Sequence, residues 1–283
     1  MKSRLAVESK NDNTTRNERL HGSSVSTLRN PTMQSVQPNE PVCPLPFFEK
    51  IHALHRFYRY KWRTESDDLT FLMKQHFSAG AAVDIGANKG IYSYFLSRHF
   101  SDFESVYAFE PQPSLYPYLL SLKDTFDLNK LSIVPKGLSS QEGTKEIFFD
   151  FSGSGGAGYD LSEKPQHTTT QVSTLDSYFK DIDTKIQFIK CDVETHEYEV
   201  FRGGINLLKR DLPMLLIEIH EERIKSAELP NQLFEIGYEG FFIHRGNKLD
   251  FSVALETPYR KKTQSHRNYF FESTNTKRFF PKH

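Results

Sequence analysis

VDIGANKGIYS, residues 83–93, joins an apolar run to a glycine-bearing turn and then to a segment of helical spacing. The run begins two residues earlier. AAVDIGA (81–87) is short, apolar and closed by a glycine, the pattern of a buried parallel strand. After the turn, Ile91, Phe95 and Leu96 recur at the period of a helix. The rhythm repeats outward from there. SVYAFEP and LSIVPKG read as a second and a third strand, with SLYPYLLSLKDTF as the helix between them. KIQFIKCDVE is a strongly apolar fourth strand, HEYEVFRGGINLLKR an amphipathic helix, and LPMLLIEIH a fifth strand. NQLFEIGYEGFFIHRGNKLDFSVAL adds a final helix and a closing strand pair. Such alternation predicts an α/β fold, a mostly parallel three-layer sheet with right-handed crossovers. Gln141–Tyr159 interrupts it with a strand, EIFFDF, and a glycine loop, SGSGGAG (152–158), suited to a mobile lid or a hairpin connection.

In such a sheet, ligands bind beyond the C-terminal ends of the strands. Gly86 and Gly90 permit a tight turn and close backbone approach, and the helix start supplies free N–H groups. Asp84 at the strand end and Asn88 in the turn are polar groups placed to fix a ligand. A dinucleotide site reads G-x-G-x-x-G, with the pyrophosphate on the helix N-terminus. Here Asn88 replaces the second glycine and the third comes early, at Gly90. Asp84 would also repel a pyrophosphate. It suits a ligand carrying positive charge, such as the amino group or sulfonium of S-adenosylmethionine. The second strand ends in Glu110, placed to take both hydroxyls of a ribose. NAD proteins share that acid, so the Asp84 turn is what discriminates. Simple helix capping is the lesser reading, because acids end two consecutive strands.

The fourth strand runs into Lys190, Asp192, Glu194 and His196. Alternation puts Lys190, Asp192 and Glu194 on one side if the strand stays extended. Carboxylates at the mouth of a buried strand are costly unless paired or used. Methyl transfer from a sulfonium is an in-line displacement that needs a positioned acceptor oxygen. A hydroxyl must also lose its proton to a base within hydrogen-bond reach. Asp192, Glu194 and His196 are therefore the candidate catalytic residues, and Glu218 and His220 at the end of the fifth strand are candidates to face the same cleft. Glu197 and Glu199 read as helix-start charges that favour the dipole. No metal is assigned, since nothing in the spacing demands one. The alternative is a divalent ion bridging Asp192, Glu218 and a histidine.

These pieces together resemble the FkbM family of S-adenosylmethionine-dependent methyltransferases. The matching stretches are VDIGANKGIYS, AFEPQPSLYPYL (108–119), LSIVPKGLSS (131–140), STLDSYF (173–179), IQFIKCDVETHEYEVFRGG (186–204) and LLIEIH (215–220). The first is generic to class I methyltransferases, whereas the run around Asp192 is far more specific. The resemblance implies a class I methyltransferase (Rossmann-like) fold with a seven-stranded sheet whose last strand is antiparallel. It implies methyl transfer, usually to oxygen, on a sugar or another natural-product hydroxyl. It implies that Asp84, Gly86, Asn88 and Gly90 hold the amino-acid end of the cofactor, that Glu110 takes the ribose, and that Ser139 and Ser140 lie near the adenine. Two departures stand out: Thr195 where the family commonly has Gly, and Ser140 where an Asp is common.

The flanks read differently. Residues 1–42 are polar and charged with almost no clustered apolar residues, so they are predicted to be disordered. Residues 43–80, with FFEKIHALHRFYRYKW and LTFLMKQHF, are predicted helices leading into a methyltransferase domain at 81–258. Residues 259–283 are basic with interspersed aromatics and are read as a solvated tail. Across 283 residues, 36 Lys+Arg balance 36 Asp+Glu, which removes the simplest argument for a nucleic-acid partner. No stretch is apolar enough for a membrane span, and the N-terminus lacks the apolar region of a secretory signal. The two cysteines, Cys43 and Cys191, exclude a CxxC zinc site and point to a reducing, cytoplasmic setting. The expected acceptor is a small molecule or glycan. The competing readings are an NAD(P)-dependent oxidoreductase and a binding module that keeps the fold without the chemistry; the sequence leaves oligomeric state open.

Overall fold

The computed structural model describes residues 43–149, 166–260 and 264–274. The segment 1–42 and the glycine loop 152–158 lie outside these residues. The chain enters through helix α1 (Phe47–Arg59), one π-helical turn (Tyr60–Thr64) and α2 (Ser66–Leu72). Strand β1 (Gly80–Ile85), α3 (Ile91–His99), β2 (Phe103–Phe109), α4 (Tyr116–Thr125) and β3 (Leu131–Val134) follow. A small sheet is then built from β4 (Gly137–Leu138), β5 (Gly143–Phe149) and β6 (Gln166–Ser173), in the order β4-β6-β5. The chain continues through α5 (Leu175–Tyr178), β7 (Ile186–Cys191), α6 (Glu197–Arg202), α7 (Ile205–Asp211) and β8 (Met214–His220). It closes with α8 (Glu221–Ser226), α9 (Glu228–Ile236), β9 (Tyr238–His244), β10 (Asn247–Asp250) and β11 (His266–Ser273).

The main sheet runs β10-β9-β11-β8-β7-β1-β2-β3. The pairs among β3, β2, β1, β7 and β8 are parallel, and β11 lies antiparallel between β8 and β9. This is the class I methyltransferase sheet: α/β, mostly parallel, with an antiparallel last strand. The hairpin strand β10 extends the expected seven strands to eight.

The period of two along each strand divides the core into two layers. Val83 and Ile85 of β1, Ile189 and Cys191 of β7, Ile217 and Ile219 of β8, and Tyr269 of β11 pack under α5–α9. Their neighbours Ala82, Phe188, Leu216 and Phe270 pack under α1–α4, against Phe57, Leu69 and Leu96. Carried to the strand ends, the same alternation turns Asp84, Lys190, Glu218, His220, Asn268 and His266 toward the α1–α4 layer. A polar cluster is thereby set at the C-terminal edge of the sheet, where the apolar rows stop.

The structure corrects three expectations. The single helix predicted over HEYEVFRGGINLLKR is two, broken at Gly203-Gly204. A Cβ on Gly203 would lie 2.2 Å from the Ser139 carbonyl oxygen, so close backbone approach stops the helix there. The helix read over Leu69–Phe77 is shifted to Ser66–Leu72, where Asp67 favours the N-terminal dipole. The stretch from residue 259, read as a solvated tail, holds the buried strand β11. Its Tyr269, Phe270 and Phe271 are all at or below 1% exposure. Burial of these aromatics between β8 and β9 overrides the basic composition around them, and the domain expected to end at residue 258 extends to Ser273.

Candidate active site

A cavity of about 380 Å³ opens at the C-terminal edge of β1, β2, β7 and β8. Gly86, Asn88 and Glu110 line one part of it, and Asp192, Glu194 and Glu218 another. A second hollow, of about 210 Å³, adjoins it and is lined by Asp84, Lys89, Tyr92 and Lys190. Asn88, Gly86 and Asp192 line both.

The β1 turn is held tightly. Gly86 has φ +75°, and a Cβ there would fall 1.9 Å from the Asp192 carbonyl oxygen, so only glycine lets the two loops meet. Asp84 is buried and accepts a hydrogen bond from the Ser93 hydroxyl at 2.5 Å. Burial raises its pKa, partly offset by Ser93 and by the Lys190 ammonium. Glu110 accepts from the Asn88 amide at 2.7 Å with one oxygen and from the Gln112 amide at 2.9 Å with the other. Burial nonetheless pushes its carboxyl up to about 7. Both acids are thus held in fixed orientation, and Glu110 is met by backbone amides rather than by a cation. That donor set fits a cationic ligand with a ribose, as S-adenosylmethionine has, and fits a pyrophosphate poorly.

Lys190 is the central cation. It is buried and lies 3.3 Å from Asp192, with the Tyr92 ring 5.1 Å from its ammonium. Burial opposes its charge, but Asp192, Glu65, Glu218 and Asp84 outweigh that and raise its pKa. For Asp192 burial works the other way, yet Lys190 and a hydrogen bond with Glu218 hold its carboxyl below the usual range. Glu218 is pushed well up by burial and by the Asp192 charge. The two shifts are opposite: Lys190 favours charge on Asp192, and burial beside that charge disfavours it on Glu218.

The chain after β7 does not stay extended. Glu194 and Thr195 take left-handed backbone, with φ 53° and 77°. Asp192 and Glu194 still reach the cavity, but His196 does not line it. Its Nε2 lies 3.0 Å from the buried Ser139 hydroxyl instead. The predicted grouping of Asp192, Glu194 and His196 is corrected by those two left-handed residues, which end the alternation it assumed. Ser139 and Ser140 likewise do not line the cavity, and the Ser140 hydroxyl donates to Glu199. Lys136, Gly137 and Leu138 line it in their place. Glu197 does more than favour a dipole: it accepts from the Val193 and Thr195 amides, each at 3.2 Å, and so fixes the loop.

Thr195 carries a cost that its sequence position foreshadows. A β-branched residue in the left-handed region is strained by about 1–2 kcal/mol, where glycine is not. Thr195→Gly should therefore raise stability by about 1 kcal/mol after glycine's extra unfolded-state entropy. Urea denaturation checks this, and a variant less stable than the parent contradicts it.

Sequence reasoning missed one wall of the site. Glu65, just before α2, and Asp68, in its first turn, meet Asn268 of β11, whose side-chain amide donates to them at 3.0 and 3.2 Å. The Tyr92 hydroxyl also donates to Glu65. Burial, then the Glu65 charge, pushes Asp68 up to about 8. His266 of β11 lies 3.5 Å from Glu218. The signal available in the sequence was TESDD (64–68), which reads equally well as a helix start. No helix among the described residues is long and apolar enough to cross a membrane.

Known proteins match this chain over its core. A hexuronic acid methyltransferase, AglP, of Haloferax volcanii is 28% identical over 174 residues, which are 60% of this chain and 69% of that protein. The crystal structure of methyltransferase FkbM from Methylobacillus flagellatus KT aligns with 70% of this chain at 18% identity and a TM-score of 0.46, and this chain spans 45% of its length. Precorrin-6y C5,15-methyltransferase from Geobacter metallireducens GS-15 aligns with 73% of this chain and 85% of its own at 13% identity and a TM-score of 0.40. The methyltransferase FkbM domain matches residues 84–239, from the acid that ends β1 into β9. Over more than half its length, this chain belongs to the FkbM methyltransferase family.

Proposed function

We propose that the chain transfers the methyl group of S-adenosylmethionine to a hydroxyl of a sugar-type acceptor. The observation that carries this reading is one cavity shared by Gly86, Asn88 and Glu110 on one side and Asp192, Glu194 and Glu218 on the other. The bound cofactor supplies an electrophilic methyl on a sulfonium. Asp84 and Glu110 supply negative charge for its amino and ribose ends, and Lys136–Leu138 line the wall beyond Glu110. Asp192, kept ionised by Lys190, accepts the acceptor's hydroxyl proton in a hydrogen bond and orients the oxygen. Glu194 borders the same space, and His196 supports the loop through Ser139.

The acceptor class is supported by the opposite wall, where Arg260, Gln264, His266 and Asn268 are polar and suited to a hydroxyl-rich molecule. The Haloferax relative, by its name, methylates a hexuronic acid.

Calorimetric titration of S-adenosylhomocysteine tests the cofactor half. Glu110→Gln and Asp84→Asn should each weaken binding by about 1.5–3 kcal/mol, roughly ten- to a hundredfold. Wild-type affinity in both, or tight NADH binding by the parent, would sink the reading. Affinity should also fall with acid. Glu110 takes up a proton below about pH 7, so binding that needs its ionised form weakens by up to about tenfold per pH unit below that point. Labelled methyl offered with uronic-acid and neutral glycans tests the acceptor half, and label appearing on nitrogen or carbon alone would refute O-methylation.

A further inference from the structure

We infer that Glu218, His220 and His266 form a binding site for a divalent first-row transition ion at the acceptor end of the cavity. Glu218 and His220 are two residues apart on β8 and so share a face. His266 on β11 is the direct antiparallel partner of His220. The register therefore brings two imidazoles and a carboxylate together from two strands. One ligand atom from each lies within 4.8 Å of the others, and Glu218 Oε1 is 3.5 Å from His266 Nε2. Two ligands about 2.1 Å from a tetrahedral ion would stand about 3.4 Å apart.

An independent observation points to a ligand. Among the described residues, the buried His220 Nε2 has no hydrogen-bond partner. A buried ring nitrogen left unpaired is costly, and a cation bound through it would satisfy it. Two histidines and one carboxylate leave coordination positions open, a donor set that suits zinc and neighbouring ions better than calcium or magnesium. Glu218 and His266 both line the cavity. This set differs from a bridge through Asp192, which stays with Lys190.

The ion's task rests on the proposed methyl transfer. Held there, it would bind the acceptor hydroxyl and lower its pKa. The oxygen–methyl bond then forms as the sulfur–methyl bond breaks, sulfur keeps the electron pair, and the proton passes to Asp192 or water.

Zinc titration into the chelator-treated full chain, followed by calorimetry, is the test. One ion per chain is expected, with a rise in melting temperature. His220→Ala and His266→Ala should each weaken zinc binding at least about tenfold, whereas the exposed His76→Ala should not. Glu218→Gln repeats the test should a histidine variant fail to fold. S-adenosylhomocysteine affinity should stay within about threefold in all folded variants, so loss of zinc binding can be told apart from loss of the cofactor site. Absence of stoichiometric zinc uptake, or wild-type zinc affinity in the cluster variants, would overturn the assignment while leaving the methyl-transfer reading standing.

Discussion

Lys190→Met should cost about 3–5 kcal/mol of folding stability, the range for breaking a buried ion pair by removing one partner. Lys190 is 2% exposed and is the shared counter-charge of Asp192, Glu65, Glu218 and Asp84. Methionine fills most of the volume, so lost packing contributes little. The cost comes from carboxylates left without their cation in a poorly solvated site. The deficit has a pH sign. Without Lys190 the buried acids bind protons more readily folded than unfolded, so stability falls as pH rises from about 4 through their raised folded pKa values. The variant should therefore lie closest to wild type near about pH 5 and furthest at neutral pH and above. Urea denaturation at both pH values measures this. A difference below about 1 kcal/mol at neutral pH would mean that Lys190 is not the cation that balances the cluster.

Asp192→Asn should lower methyl-transfer turnover by about 10² or more. Asparagine keeps the shape and can still accept from Lys190, but it cannot take the acceptor's proton. S-adenosylhomocysteine affinity should change by less than about threefold, because the proposed cofactor contacts are those of Asp84 and Glu110. His196→Ala should cost less than about tenfold, since His196 is turned to Ser139 and away from the cavity. Single-turnover kinetics with a methyl-accepting glycan compare the two. Equal losses in both variants would refute the division between an acceptor-facing Asp192 and a supporting His196.

The glycine turn and the acid beside it were legible because they are local. Asp84, Gly86, Asn88 and Gly90 fall within one turn, and Glu110 ends the strand hydrogen-bonded beside it. A few residues of sequence fix such a turn, whatever the rest of the chain does. The acceptor half was less legible. His196 looked like a partner of Asp192 from spacing, but left-handed backbone at Glu194 and Thr195 redirects it. The tail beyond residue 259 looked solvated from its charges, yet β11 lies inside the sheet. Its apolar residues are few, and the two neighbours that bury them, β8 and β9, are distant in sequence.

By itself, the sequence determined the strand–helix order, the parallel core of the sheet and the acidic glycine turn, because periodicity and turn chemistry act over neighbouring residues. Only the tertiary structure decided that Glu65, Asp68, Asn268 and His266 close the site and that Lys190 balances its acids. The register of β8 with β11 sets His266 and Asn268 beside Glu218, and packing of α2 against the sheet brings Glu65 and Asp68 to Asn268.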